Sequence, residues 1–263
     1  MERFPNTSAS PSFDANLASA ASPPTHRFQP KAGYDLVAAS YDSWHWTKVW
    51  RKNELPIIFR WLHALSPGRL LNVGCGTGNY ASCIRRCGHR AFGIDISFNM
   101  LQASRRKSEQ LCSSCETQAD AQHLPFSGAA FDYLLCTRVL THVATLERAL
   151  SEFARVLRPS GVCILADVHC RHPYECTSVP TDVGRIYIET HKHSSDTVAT
   201  LAVQARKFEL IFTQQYSLSD LVWKPPSFRF PKLYGNPERP LFWITVLRRV
   251  TDVAVSTTAQ SSL

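Results

Sequence analysis

The stretch LLNVGCGTGNY, residues 70–80, constrains this chain more than any other. An apolar run passes directly into glycines spaced G-x-G-x-G, the pattern of a buried strand that turns sharply into a helix. A residue with a Cβ would resist the left-handed angles of such a turn and would hold a ligand away from the backbone. The helix that follows offers unpaired N–H groups and the positive end of its dipole. A nucleotide, or the carboxylate of an amino-acid-like cofactor, suits that position. A tight chain reversal without any ligand uses the same glycines.

Around this turn, strand and helix alternate. Leu70–Val73, Ala91–Ile94, Cys115–Gln118, Phe131–Cys136 and Val162–Val168 read as five strands, with helices at Tyr80–Cys87, Phe98–Ser108 and Leu146–Leu157. The alternation predicts βαβ units and a doubly wound, mostly parallel α/β sheet covered on both faces. Ligands of such sheets bind beyond the carboxyl ends of the strands. The glycine turn, Asp95 and Asp120 all fall at those ends. After Val168 the pattern changes. Residues 170–200 read as a polar, histidine-rich insertion around the strand-like RIYIET. Phe208–Thr213 and Phe242–Leu247 read as two late strands joined by the Pro-rich WKPPSFRFPKLYGNPERP.

Composition bounds the remainder. A length of 263 residues suffices for one substantial α/β domain with appendages. Residues 1–30, rich in Ser, Ala, Pro and Asn, offer no core and are predicted to be a disordered tail, dispensable for folding. An aromatic-rich helical segment at 31–66, the main domain at 67–250 and a flexible tail at 251–263 complete the expected organisation. No apolar run nears the roughly 18 residues of a membrane span, and no basic-then-apolar leader opens the chain, so a cytoplasmic location without membrane contact is expected. Nine scattered cysteines read as free thiols in a reducing compartment. Cys112-x-x-Cys115 lacks the second pair that a zinc site of this type needs, and no metal is expected. The net charge of +8 permits an acidic partner such as RNA, but the basic residues are dispersed.

Asp95 lies 21 residues after Gly74, where a carboxylate can accept from both hydroxyls of a ribose or cap the following helix. Asp120, followed by Ala121, stands where the adenine of a nucleoside would lie, and can accept from its amino group. Here the chain resembles the class I S-adenosylmethionine-dependent methyltransferases, over roughly residues 34–168. LLNVGCGTG, GIDIS followed by Met100 and Leu101, ADAQHLPF, FDYLLCTRVLTHV and RVLRPSG stand in the family's order.

The resemblance implies a seven-stranded sheet with a C-terminal antiparallel hairpin, which the two late strands supply. It implies S-adenosylmethionine as cofactor, with Gly74, Cys75, Gly76 and Gly78 along its amino-acid part. Asp95 would hold the ribose, Ile96 and Met100 would pack the adenine, and Asp120 and Ala121 would meet its edge. Thr137 would lie beside the methyl donor. Tyr34 and Tyr41 occupy a segment similar to the YD-x-x-A-x-x-YD of small-molecule methyltransferases, which folds over the cofactor. One departure is Asn72, where many members carry an acid that supports the cofactor's ammonium through the loop. The acceptor remains and the charge is lost, so weaker affinity is expected.

Methyl transfer from a sulfonium is an in-line displacement, in which the protein's main task is alignment. A base is needed only when the nucleophile must lose a proton. His142 in VLTHV, His169 after the fifth strand and His191 in the insertion are the candidate bases, although His142 can equally be a packed polar residue at a helix start. His191 and His193 would point the same way only in a strand. Arg138, Arg171 and Arg185 could bind a carboxylate or phosphate on the acceptor. Trp44, Trp46 and Trp50 either wall an apolar acceptor pocket or pack a lid helix. Aromatic residues in this lid favour a small-molecule acceptor, enclosed by the lid and residues 170–200. Transfer RNA is the alternative, because the motif set also resembles wobble-uridine methyltransferases. A cofactor-binding pseudoenzyme or partner subunit is a third reading, raised by Asn72.

Overall fold

A computed structural model describes residues 26–108, 115–182, 184–224 and 236–251. The chain opens with helix α1 (Pro30–Val37), a single turn at Tyr41–Ser43 and helix α2 (His45–His63). There follow β1 (Arg69–Val73), α3 (Ala81–Arg86), β2 (Arg90–Asp95), α4 (Phe98–Ser108) and β3 (Cys115–Gln118). Then come β4 (Phe131–Thr137), α5 (Leu146–Val156) and β5 (Leu157–Val168). The last elements are β6 (Thr177–Thr181), β7 (Gly184–Ile188), α6 (Ser195–Gln204), β8 (Phe208–Ser217) and β9 (Pro240–Arg249).

Seven strands form one sheet in the order β3-β2-β1-β4-β5-β9-β8. The pairs from β3 to β5 are parallel, and β9 runs antiparallel to both β5 and β8. The expected doubly wound sheet with its closing hairpin is therefore present. Alternation along each strand divides the core between its two faces. Leu71, Val73, Leu134 and Leu165 pack into the core that α5 and α6 cover, with Phe153 and Val198. Leu70, Leu135, Ile164 and Ile244 pack into the opposite core, under Ile58 and Leu62 of α2 and Ile84 of α3. The strand order reverses between β1 and β4, which opens a crevice at their carboxyl ends.

Three expectations change in detail. The fifth strand, expected at Val162–Val168, begins at Leu157, which pairs opposite Phe131. Residues 170–200 are not one insertion. Residues 177–188 form a separate two-stranded hairpin, whereas Ser194 caps α6 by accepting from the Thr197 N–H at 3.0 Å. Helix α6 carries Val198 and Ala202 into the main core and so belongs to the principal domain. Residues 28–30, expected to lie in the tail, are built into the fold. Phe28 donates to the Tyr187 carbonyl at 2.8 Å and accepts from the Glu189 N–H at 2.9 Å, extending β7, and Pro30 already opens α1.

No helix among the described residues is long and apolar enough to cross a membrane. Cys112 lies outside the described residues, as do residues 1–25, 252–263 and most of the Pro-rich connection; Cys115 is exposed with a free thiol.

A chain beginning at His26 is expected to melt like the full chain, whereas one beginning at Lys31 loses both Phe28 hydrogen bonds. At ~0.5–1.5 kcal/mol each, the second truncation should melt about 2–8 °C lower by calorimetry.

Candidate active site

A cavity of about 260 Å³ opens where the strand order reverses. Its floor crosses the ends of four strands: Ala119 just after β3, Asp95 closing β2, Val73 closing β1 and Thr137 closing β4. Gly74, Cys75 and Gly76 form the glycine turn beneath it, and Ile96, Met100 and Ala121 supply an apolar wall on the β3 side. Asp120 borders that wall, its Oδ1 accepting from the Gln122 N–H at 2.8 Å. Tyr34 and Tyr41 roof the cavity.

Gly76 has a φ of +54°, and a Cβ built on it would meet no atom within 4 Å. Its bare backbone thus faces open space at the cavity floor. Gly78 behaves differently. It does not line the cavity, and a Cβ there would come 2.5 Å from the Ser104 hydroxyl, so this glycine lets the turn pack on α4. Asn72 also lies behind the turn, buried, with its Oδ1 lacking a hydrogen-bond partner.

Asp95 is buried, and its two oxygens accept from Gly76 N–H at 2.8 Å and Ser97 N–H at 2.9 Å. Burial outweighs these bonds and pushes its pKa up to about 6. Both aspartates of the two Tyr-Asp pairs fasten the roof. Asp35 accepts from the Ser97 hydroxyl at 2.7 Å and the Asn99 N–H at 3.1 Å, at the start of α4. Asp42 accepts from Thr77 Oγ1 at 2.7 Å and Asn79 Nδ2 at 3.0 Å and pairs with Lys107. Burial works to raise the Asp42 pKa, but Lys107, Thr77 and Asn79 hold it below the usual range.

Of the three candidate histidines, only His142 lines the cavity. Its Nδ1 lies 2.7 Å from the Glu189 carbonyl, which can only accept, so Nδ1 carries the proton. Nε2 then accepts from the Tyr34 hydroxyl at 2.7 Å. Burial lowers the His142 pKa to about 4, leaving the ring neutral near pH 7. His169 is buried away from the cavity, where its Nδ1 accepts from the Arg171 N–H at 3.0 Å, closing a turn. His191 is likewise outside, with its N–H bound to the Thr141 carbonyl and its ring 3.7 Å from Glu189. Neither side chain is among the residues that line this cavity.

Residues 170–200 contribute no lining residue. They buttress the roof from outside: a Cβ on Gly33 of α1 would come 2.6 Å from Ile188, a close approach that seats the helix on the hairpin. Trp46 and Trp50 stack at 4.9 Å in the core beneath α2, and the Trp46 Nε1 donates to Tyr174 at 2.8 Å. They pack a helix and do not wall the cavity. Arg185 is spent on Ser178, and Arg171 is not among the lining residues.

Arg138 does line the cavity, directly after Thr137. It adopts a left-handed φ of +55°, and its guanidinium pairs with Glu54 of α2, whose side chain is 0% exposed. Tyr80, also at the cavity, donates to Glu54 Oε2 at 2.9 Å. Burial opposes the Arg138 charge, but Glu54 more than offsets it, with Tyr80 and Tyr41 adding to the effect, and the group stays fully cationic. Sequence reasoning missed Tyr80, Val139 and Gln122 as lining residues; the G-x-G-x-G pattern ends at Gly78, two residues before Tyr80.

Residues 71–165 match the family described as a methyltransferase domain. Over 140 residues the chain is 31% identical to a demethylmenaquinone methyltransferase of Staphylococcus saprophyticus, covering 50% of this chain and 58% of that one. Over 108 residues it is 35% identical to an O-methyltransferase of Pyrenophora dematioidea, covering 39% and 40%. The chain spans about half the length of the curated relatives it matches. The crystal structure of the [4+2]-cyclase SpnF superposes with a TM-score of 0.63 at 20% identity, over 87% of this chain and 98% of that chain, a likeness of fold alone. Residues 71–165 are thus similar to a methyltransferase domain, on a fold that the chain shares over 73% of its length with a solved S-adenosylmethionine dependent methyltransferase from Mesorhizobium loti, at 17% identity and a TM-score of 0.56.

Proposed function

We propose that this protein transfers a methyl group from S-adenosylmethionine to a small-molecule acceptor. The carrying observation is the roofed cavity in which Asp95, Asp120, the bare Gly76 backbone and the Ile96–Met100–Ala121 wall are brought together. These residues fit the cofactor. The apolar wall suits an adenine, the carboxylates suit its amino group and the ribose hydroxyls, and the open floor at Gly76 admits a chain against the backbone. When bound, the cofactor supplies a sulfonium-activated methyl group.

The protein's own residues then align and exclude water. Asp42 and Asp35 hold the roof shut over the floor, and Tyr34 is fixed by His142, which is fixed in turn by the Glu189 carbonyl. Alignment of this kind is the main demand of an in-line displacement. His142 is poorly suited to be a general base, since its pKa is near 4 and its Nε2 is engaged. We therefore read the Tyr34–His142 pair as orienting the acceptor. The named relatives methylate, by their names, demethylmenaquinone in one case and an oxygen in the other, which supports a small acceptor. Transfer RNA is the second reading, favoured by the resemblance of the motif set to wobble-uridine methyltransferases and by the net charge of +8.

Incubating the protein with methyl-labelled S-adenosylmethionine and separate small-molecule and RNA extracts should put label into the small-molecule fraction. Label confined to RNA, together with binding to bulk transfer RNA that falls steeply with salt, would replace this reading with the second.

Cofactor affinity should depend on pH through Asp95. The ionised carboxylate is the better ribose acceptor, and with a pKa of about 6 in the free protein the group gains a proton as pH falls. Calorimetry with S-adenosylhomocysteine should find binding about tenfold weaker at pH 5 than at pH 7. Asp95→Asn should remove that dependence.

A further inference from the structure

Arg138 follows the last residue of β4, at the end of the cavity away from Asp120. The strand order β3-β2-β1-β4 fixes the direction of a bound cofactor. An adenine at Asp120 and a ribose at Asp95 leave the amino-acid part running over the glycine turn toward β4. That part carries a carboxylate, which needs a partner once it is removed from water.

The glycine turn has few donors left for it. The Cys75 N–H is bound to the Ile94 carbonyl, the Gly76 N–H to Asp95 and the Gly78 N–H to the Cys75 carbonyl. Lys107 is close to the turn but is held by Asp42 and by the Thr77 carbonyl. Among the described residues that line the cavity, Arg138 is the one cationic side chain, His142 being neutral, and two carboxylates line it as well. Its guanidinium is not used up. Nη1 serves Glu54 and touches Tyr80 at 3.4 Å, and Nε is buried without a hydrogen-bond partner. Planar carboxylates suit the remaining edge of such a fork.

We propose that Arg138, aimed by Glu54 and Tyr80, is the receptor for the cofactor's α-carboxylate. The counter-charge thus comes from the end of β4, while Asn72 leaves the ammonium side without the usual acid. Glu54 acts as a positioning residue, because it reaches the cavity only through Arg138 and Tyr80. This assignment rests on the methyltransferase reading and deepens it.

The test compares three probes by calorimetry on the full chain: S-adenosylhomocysteine, its decarboxylated analogue and 5′-methylthioadenosine. The wild-type protein should bind S-adenosylhomocysteine about ten- to a hundredfold tighter than the decarboxylated analogue, the scale of one charged hydrogen bond. Removing Arg138 alone strands the buried Glu54 charge, so the informative variant is the double Glu54→Gln, Arg138→Gln. It should lose that preference while binding 5′-methylthioadenosine within about twofold of wild type, since that contact is not made. Arg138→Lys, which keeps the charge without the fork, should retain part of the preference. An undiminished preference in the double variant overturns the proposal, as does a wild-type protein indifferent to the carboxylate. That second outcome is available even if the double variant fails to fold. A wild-type protein that binds none of the three probes overturns the methyltransferase reading itself.

Discussion

The bond from Gly76 N–H to Asp95 ties the end of β1 to the end of β2, and the rest of the site is built outward from it. Burying a carboxylate is costly, and two backbone N–H groups offset much of that cost while fixing both oxygens. The second of those donors, Ser97, also caps α4 by accepting from Met100 N–H at 3.1 Å and donates its hydroxyl to Asp35. Floor, apolar wall and roof are therefore joined in one chain of hydrogen bonds, Gly76–Asp95–Ser97–Asp35. Gly76 follows β1, Asp95 closes β2, Ser97 precedes α4 and Asp35 lies on α1, so the chain of bonds keeps the cavity's parts in register.

The opposite end of the cavity is governed by charge. Glu54 has no contact with solvent, so its placement in the middle of α2 requires a cation, and Arg138 is that cation. The left-handed backbone of Arg138 is an uncommon conformation for a non-glycine residue, held where the strand end is already fastened by its N–H to the Ala166 carbonyl at 2.8 Å. A helix outside the sheet thus determines where a guanidinium stands inside the cavity.

Local signals in the chain made the sheet legible. Apolar runs at 70–73 and 131–136 can be buried on both faces only as central strands, and the glycine turn and Asp95 announce where those strands end. The position of Phe28 was not legible, because one of three phenylalanines scattered through a Ser- and Pro-rich stretch gains its partner only when β7 exists. Helix α6 was hidden for a similar reason: histidines at 191 and 193 obscured the Ser194 cap just beyond them. His169 and His191 looked equivalent to His142 as residue types near strand ends. Only the fold separates them, by turning His169 back on Arg171 and drawing His191 toward Thr141. The Glu54–Arg138 pair joins residues 84 apart, a distance across which no local pattern operates.

The β6–β7 hairpin shares no strand with the main sheet, yet it supports α1 through Ile188 and holds His142 through the Glu189 carbonyl. Its influence on the cavity is mechanical and indirect. Insertions, deletions or substitutions in it can reshape the roof and reorient Tyr34 without disturbing the register of β1 to β5 or the bonds of Asp95. The architecture is in this sense modular. The half that would accept a common donor is locked into the sheet, and the half that would meet a variable acceptor hangs on an appendage free to diverge.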